Sequence, residues 1–148
     1  MIAHSEGTDR APDPYRVCYG YRHTIVDLRD HPAITGEWKG ESLASLGAQY
    51  AHEISTAAGR YQINRPTWLH CKAALHLQDF TGPSQDDAAI FLIKQAGFLD
   101  AVNAGDIQAA IDGCSGVWAS LPGSKAGQPT RTVAALLDAY TELGGELA

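Results

Sequence analysis

The sequence predicts an α+β fold, in which a small N-terminal lobe with a β-hairpin precedes a larger helical lobe and a cleft lies between them. The first forty residues are rich in Gly, Pro, Asp and aromatic residues, which is typical of turns and short strands. From residue 64 onward, apolar residues recur at helical spacing. The length of 148 residues suits one domain spanning residues 1–148.

The β structure is expected early in the chain. Residues 15–26 combine β-branched and aromatic side chains and are interrupted by Gly20, a pattern that predicts a short, irregular hairpin. Residues 41–50 predict a short helix, and the polar residues 52–56 predict a loop.

Two longer helices are predicted in the middle of the chain. Asn64 is a good N-cap and Pro66 suits a first turn. Four residues then follow at the spacing of one helix face: Trp68, Cys71, Lys72 and Leu75. Ser84 and Asp87 resemble a capping box, which predicts a second, largely buried helix that ends near Gln95.

Two further helices complete the predicted helical lobe. Asp106 is the expected cap of a short helix with Ile107, Ala110 and Ile111 on its apolar face. Thr130 is the expected start of the last helix, which the pair Gly144–Gly145 should end. Its apolar face is formed by Val133, Leu136, Leu137 and Tyr140.

Charge and hydropathy exclude several classes of partner. The formal net charge is −6 and there is no dense Lys/Arg stripe, which argues against nucleic-acid binding. No apolar run approaches the roughly 18 residues of a membrane span. The first residues have neither the basic segment nor the apolar core of a signal peptide. We therefore expect synthesis in the cytoplasm and no membrane insertion.

The cysteines and histidines do not predict a metal site. Cys18, Cys71 and Cys114 are widely spaced and odd in number, and none of the six histidines falls in a zinc-binding pattern. We expect reduced thiols, no metal and no cofactor; one disulfide plus a spare thiol is the alternative. A zinc amidase built from scattered ligands and a Cys–His peptidase remain open at this stage, although Cys71 lies on an apolar helix face.

Glu6 is the first candidate for chemistry. It precedes a glycine, which readily ends a helix, so its carboxyl group is expected at a helix end beside a loop. Taken alone, Ser5-Glu6-Gly7 is far more typical of a solvated surface glutamate than of a catalytic one.

Two later stretches combine small residues with groups that suit ligands. Ala57–Ile63 contains two alanines and a glycine beside Tyr61 and Gln62, which offer a stacking face and an amide for N-acetylated sugars. The alternative for this stretch is a tight turn that enters the next helix. After Trp118, which has the spacing of a core residue, a Gly- and Pro-rich loop is the better candidate for ligand contact.

Seven motifs run in order through nearly the whole chain. They are S-E-G-T-D at 5–9, D-H-P at 30–32, A-G-R-Y-Q at 58–62, D-F at 79–80, S-Q-D at 84–86, G-D-I-x-x-A-I-D at 105–112 and C-S-x-x-W-A-S-L-P-G at 114–123. In order and spacing they resemble the lambda-type endolysins, a phage and prophage family of lytic transglycosylases. The last motif is too long to arise by chance.

The resemblance implies a lysozyme-like fold and cleavage of the β-1,4 bond between N-acetylmuramic acid and N-acetylglucosamine in peptidoglycan. Within S-E-G it implies that Glu6 is the catalytic residue. The family's substrate-contacting loops fall around residues 52–62 and 122–130, so the expected substrate-binding residues are Ser55, Tyr61, Gln62 and Gln128. The resemblance also implies a monomer that reaches the periplasmic peptidoglycan through a holin-like pore and lyses the host.

The predicted mechanism uses a single carboxyl group. Ordinary glycosidases pair two carboxylates across the scissile bond. No partner for Glu6 stands out among Asp9, Asp13, Asp27, Asp30 and Glu37. A lytic transglycosylase needs no second carboxylate, and a hydrolytic muramidase is the alternative. Either reaction starts from a protonated Glu6, which predicts a pKa raised by burial.

Two departures from the family pattern affect these expectations. Only five residues precede Glu6, where the relatives have a helix of a dozen or more, so we expect a truncated helix and a less rigidly held Glu6. Residues 33–55 are longer than in the lambda protein, which leaves the substrate contacts of that segment open.

Overall fold

The computed structural model describes residues 1–127 and 129–148. These residues form two compact units. The helical unit contains residues 1–7 and 90–148, and the mixed unit contains residues 8–89. No helix in the described parts of the chain is long and apolar enough to cross a membrane.

The helical unit is built around short helices. These are α1 (Ile2–Glu6), the end of α4 (Gly82–Gln95), α5 (Leu99–Asn103), α6 (Ile107–Cys114) and α7 (Val133–Glu142). Its buried core includes Ile107, Ala110, Ile111, Cys114, Trp118, Leu121, Leu136 and Ala139. The predicted core position of Trp118 is confirmed, since only 3% of that residue is exposed.

The helix ends of this unit test the predicted caps. The Asp106 carboxylate accepts the Ala109 backbone N–H at 3.2 Å, which confirms it as the cap of α6. The last helix begins two residues later than Thr130 would place it: Thr132 is its cap and accepts the Ala135 N–H at 3.2 Å. Helix α5 has five residues, too few for a helical period to be recognised, and it was not predicted.

The mixed unit contains α2 (Pro32–Thr35), α3 (Arg65–Leu75), the first part of α4 and one small sheet. Strands β1 (Glu41–Ser42) and β2 (Ile54–Ser55) pair antiparallel, with Glu41 opposite Ser55 and Ser42 opposite Ile54. The α+β class is therefore confirmed, with most of the regular structure helical.

The position of the β structure differs from the prediction. Residues 15–26 do not form a hairpin: they contain 3₁₀ helices at Pro14–Arg16 and Tyr19–Tyr21 and one isolated bridge between Val17 and Thr24. The helix predicted over residues 41–50 is also wrong, because β1 and two 3₁₀ helices occupy this segment, and β2 lies in the predicted loop. Strands of two residues are too short to show an alternating pattern.

The two longer helices were placed more accurately. The Asn64 side chain accepts the Thr67 N–H at 3.0 Å, which confirms the start of α3. Helix α4 ends at Gln95 as predicted, but it begins at Gly82 rather than after Ser84. The Ser84 hydroxyl instead donates to the carboxylate of Asp79 at 2.8 Å, which holds the loop before the helix.

Candidate active site

Glu6 is the last residue of α1, as the following glycine predicted. Gly7 adopts the left-handed conformation with φ of 77°, and its N–H donates to the His4 carbonyl at 3.1 Å. Ile2 and Ala3 are buried on the same short helix. The carboxyl group of Glu6 is thus placed at the point where the backbone leaves the helix.

Ser120 holds this carboxyl group. Its hydroxyl donates to Oε1 of Glu6 at 2.6 Å, and its backbone carbonyl accepts the Ser5 hydroxyl at 2.8 Å. Ser5 and Ser120 are each only 7% exposed. Two adjacent residues of α1 are therefore linked to one residue of the W-A-S-L-P-G segment, by one buried and one partly buried hydrogen bond.

Burial raises the pKa of Glu6 to about 7, although the hydrogen bond from Ser120 lowers it. The predicted rise is confirmed. Near neutral pH such a group has substantial populations of both its protonated and its ionised form, so it can donate a proton and take one back.

Four of the other carboxylates considered in the sequence have structural partners in the mixed unit. Asp13 accepts the Tyr15 N–H at 3.1 Å, and Asp27 pairs with Arg29 at 2.8 Å. Glu37 accepts two backbone N–H groups at 2.7 and 2.9 Å, which with His23 hold its pKa below the usual value against burial. Asp30 accepts from Trp68, Lys72 and the His31 N–H.

Tyr61 belongs to a network around Asp86. The hydroxyls of Tyr61 and Tyr15 both donate to this carboxylate, at 2.7 and 3.0 Å. The Arg60 guanidinium donates to the Tyr15 hydroxyl at 2.8 Å and lies over the Tyr15 and Tyr61 rings. Burial and Asp86 raise the pKa of Tyr61, so its hydroxyl remains protonated.

Gln62 and Gln85 stabilise the backbone of the same segment. The Gln62 amide, on a residue with φ of 48°, donates to the carbonyls of Val17 and Gly59 at 3.2 and 3.0 Å. The buried Gln85 accepts the Arg60 N–H at 2.9 Å. A Cβ at Gly59 would lie 2.1 Å from the Gln85 Oε1, so only glycine fits there.

The remaining predicted contact residues are Ser55 and Gln128. Ser55 lies in β2, and its hydroxyl accepts the Ala57 N–H at 3.2 Å. Gln128 lies outside the described residues. Ser55, Tyr61 and Gln62 belong to the mixed unit, and Glu6 belongs to the helical unit. Substrate contact by these residues stays a prediction.

The sequence analysis missed Ser120, Gln85 and Asp86 as functional candidates. All three lie inside motifs that carried the family resemblance, S-Q-D and C-S-x-x-W-A-S-L-P-G. Their presence in those motifs was the available signal, but a serine or a glutamine in a motif does not reveal which distant group it contacts.

The cysteines of the described residues are poorly suited to nucleophilic thiol chemistry. Residues 1–127 and 129–148 contain no group of three or more His, Cys, Asp or Glu side chains that could hold a metal ion. The three cysteines are buried, free thiols. Burial raises the pKa of Cys18 to about 12 and that of Cys71 to about 11, which disfavours the nucleophilic thiolate.

Comparison with known proteins identifies close relatives. The family model described as Endolysin matches residues 1–147. The chain is 37% identical to the endolysin of Escherichia phage lambda over 150 residues, which covers 98% of this chain and 87% of the phage protein. It is also 37% identical to the endolysin of Escherichia phage P2 over 149 residues, covering 98% of this chain and 89% of that protein.

Solved structures of lambda lysozyme have a fold similar to that of this chain. The structure of bacteriophage lambda lysozyme complexed with a chitohexasaccharide matches with a TM-score of 0.86 and 37% identity, covering all of this chain and 92% of that one. A second structure, of lysozyme from bacteriophage lambda, matches with a TM-score of 0.82 and 35% identity over the same shares. The predicted lysozyme-like fold is thereby confirmed.

Proposed function

Because the chain belongs to the endolysin family of peptidoglycan-degrading enzymes, we propose that it is a lytic transglycosylase with Glu6 as its catalytic acid and base. The scissile bond is the β-1,4 bond from N-acetylmuramic acid to N-acetylglucosamine. The observation that carries this proposal is the pKa of about 7 at a carboxyl group held by Ser120 at a helix end.

In the proposed first step, protonated Glu6 donates its proton to the glycosidic oxygen. The bond between C1 of the muramic residue and this oxygen breaks, N-acetylglucosamine leaves as an alcohol, and positive charge develops at C1. A raised pKa favours this step, since it leaves a substantial fraction of Glu6 protonated near neutral pH.

In the second step the Glu6 carboxylate takes the proton from the C6 hydroxyl of the same muramic residue. The C6 oxygen attacks C1 and closes a 1,6-anhydro ring, so the enzyme returns to its protonated form without consuming water. One carboxyl group suffices for this cycle. The structural partners of Asp13, Asp27, Asp30 and Glu37 support a mechanism that makes no use of a second carboxylate.

The proposed substrate contacts are Ser55, Tyr61, Gln62 and Gln128. Because the Tyr61 hydroxyl donates to Asp86, we assign its contribution to the aromatic ring. Because the Gln62 amide N–H groups face backbone carbonyls, its side-chain oxygen is the group we assign to the sugar. The chitohexasaccharide bound to lambda lysozyme supports an N-acetylated glycan as the ligand class.

The biological setting of the proposal follows the family. We propose that the enzyme is synthesised in the host cytoplasm, acts as a monomer, and depends on a holin-like pore to reach periplasmic peptidoglycan during host lysis.

The products of digestion test the reaction type. Purified sacculi are digested to completion, and the released muropeptides are analysed by mass spectrometry. The proposal expects 1,6-anhydromuramic ends, which are 18 mass units lighter than reducing ends because no water is added. Reducing ends would establish a hydrolytic muramidase instead. New amino groups with intact glycan strands would establish an amidase or endopeptidase.

A further inference from the structure

The mixed unit contains a cavity of about 420 Å³ that includes none of the residues assigned above to catalysis or sugar contact. Its walls include Tyr19, Tyr21, Arg22, Glu41, Ser42 and Ser45. This volume is in the range of small-ligand sites, and the walls supply aromatic surface together with hydroxyl and charged groups that can orient a ligand.

Backbone hydrogen bonds hold two walls of this cavity. The N–H of Tyr19 donates to the Ala57 carbonyl at 2.9 Å, and the N–H of Tyr21 donates to the Cys18 carbonyl at 3.0 Å. On the other side, Glu41 lies in β1 and pairs with Ser55. The cavity is therefore formed by segments that the fold already holds, and it needs no ligand to assemble.

Tyr21 is unusual in both conformation and exposure. Its φ of 59° lies in the left-handed region, which a non-glycine residue rarely adopts, and 57% of the residue is exposed. Because the residue is mostly exposed, burial of its ring contributes little free energy to offset the strain of this backbone conformation. Strained residues of this kind cluster at ligand sites.

The adjacent Gly20 allows the two walls to approach each other. Its φ is 80°, and a Cβ at this position would lie 3.1 Å from Cγ of Glu41. A larger residue would press on the glutamate and change the charged wall of the cavity.

Arg22 and Glu41 place opposite charges in the wall. The two side chains approach to 3.4 Å, a long contact for an ion pair, and the Arg22 side chain is 80% exposed. A guanidinium has five N–H donors, and its planar fork is suited to carboxylates. An incoming carboxylate can therefore bind Arg22 without displacing a tightly held partner.

We infer that this cavity binds the charged stem peptide of peptidoglycan, with Arg22 receiving one of its carboxylates. The inference rests on the proposed function only in taking peptidoglycan as the substrate. Within peptidoglycan the sugars carry no ionised group, because the lactyl carboxyl of N-acetylmuramic acid is bound to the stem peptide, so the Arg22–Glu41 pair offers them no complementary charge. The stem peptide carries free carboxylates and, before cross-linking, an amine that suits Glu41.

The test is an NMR titration of the full ¹⁵N-labelled wild-type chain with three ligands. They are the disaccharide-tetrapeptide N-acetylglucosaminyl-N-acetylmuramyl-tetrapeptide, the same disaccharide without peptide and with its lactyl carboxyl group capped as a primary amide, and chitohexaose. The first two lack the bond that the enzyme is proposed to cleave, so the complexes are stable. We expect amide shifts at Gly20–Arg22 and Ser42–Ser45 with the peptide-bearing ligand and none there with the other two.

A matched pair of variants tests the role assigned to Arg22. Arg22→Gln removes the charge, and we expect it to weaken binding of the peptide-bearing ligand by about tenfold, the loss of one charge-assisted contact. Arg29→Gln is the control, because Arg29 is similarly exposed at 75% and pairs with Asp27 outside the cavity. Both side chains are on the surface, so both variants are expected to fold.

Three results would overturn the inference: equal shifts with the peptide-free disaccharide, no cavity shifts with any ligand, or equal affinity for the Arg22→Gln and Arg29→Gln variants. The first result would make the cavity a sugar subsite. The outcome is independent of the reaction type, because reducing ends in the digestion products would refute the transglycosylase without changing this titration.

Discussion

The carboxyl groups of Glu6 and Asp30 are both removed from full solvent exposure, but their pKa values are shifted in opposite directions. In the mixed unit, Asp30 accepts from Trp68 Nε1 at 2.8 Å, from Lys72 Nζ at 2.5 Å and from the His31 N–H at 2.8 Å. Burial raises the pKa of Asp30, but these donors outweigh it and hold the pKa below the ordinary value. In the helical unit, burial outweighs the Ser120 hydroxyl, and the pKa of Glu6 rises to about 7.

This difference separates a carboxylate that stabilises the fold from one that can transfer a proton. A carboxylate saturated by charged and neutral donors stays ionised and has no proton to give at neutral pH. A carboxyl group with its pKa near 7 can both donate and accept a proton at neutral pH. Ionising such a buried group lowers the stability of the folded state. Burial and donors together distinguish the two: Glu6 is the more deeply buried, and Asp30 meets three donors.

The largest effect is expected from Glu6→Gln. The amide has nearly the same shape but cannot donate a proton to the glycosidic oxygen, so we expect the rate of cleavage of sacculi to fall by at least about a thousandfold. The measurement is turbidity loss together with muropeptide analysis. Asp9→Asn is the matched control, since it neutralises a nearby acidic residue in the same motif. Retained activity in Glu6→Gln would refute the catalytic assignment.

Removing the structural carboxylate should reduce stability. In Asp30→Ala, the indole N–H of the fully buried Trp68 and the Lys72 ammonium lose their acceptor, which we expect to lower the free energy of unfolding by about 2–3 kcal/mol. Urea denaturation measures it. Asp27→Ala removes a pair whose side chains are 38% and 75% exposed, and it should cost less than about 1 kcal/mol. Equal losses in both variants would contradict the role of the buried contacts.

A smaller effect is the pH dependence of stability that Glu6 contributes. Its pKa rises from 4.5 to about 7 on folding, so the folded state holds this proton more tightly. The contribution is present below pH 4.5 and is lost as the pH rises to 7. Wild type loses this stability between pH 4 and pH 8, whereas the neutral glutamine of Glu6→Gln does not titrate. We therefore expect the free energy of unfolding of Glu6→Gln, measured relative to that of wild type, to be about 1–3 kcal/mol higher at pH 8 than at pH 4.

Urea denaturation of both proteins at the two pH values measures this difference. The pKa of the buried His31 is lowered to about 4, so its contribution has the opposite sign, with stability lost as the pH falls from 6.5 to 4. His31 is present in both proteins, and its contribution therefore cancels in the comparison. The same difference between wild type and variant at both pH values would show that Glu6 is not shifted.

Features set by neighbouring residues were more predictable from the sequence than features set by distant ones. Several local signals were confirmed: the glycine after Glu6 predicted the helix end, and Asn64 and Asp106 predicted helix starts, because caps depend on residues three positions apart. Thr130 and Ser84 misplaced two other helix starts by a few residues. The two-residue strands were misplaced, because their pairing between Glu41 and Ser55 is set by contacts distant in sequence.

The partners of each carboxyl group were not predictable for the same reason. Ser120 lies 114 positions from Glu6, and Lys72 lies 42 positions from Asp30. D-H-P and W-A-S-L-P-G were recognised as motifs, but a motif does not state which donor reaches which oxygen. The raised pKa of Glu6 was expected from the chemistry of the family, whereas its opposing hydrogen bond required the fold.

Ser120 provides the smallest and most specific test of the comparison. Its hydroxyl is a donor that lowers the pKa of Glu6, so Ser120→Ala should raise that pKa and move the alkaline limb of kcat/KM to higher pH. We expect the ratio of the rates at pH 8 and pH 6 to increase about threefold, while Ser120→Thr, which keeps a hydroxyl, restores the wild-type profile.

Ser124→Ala is the control, because the Ser124 hydroxyl accepts the Ala126 N–H at 3.3 Å. A loss of stability alone would lower the rate at every pH without moving the limb. An unchanged limb in Ser120→Ala would therefore mean that the Ser120 hydroxyl does not set the proton affinity of Glu6 and that burial does.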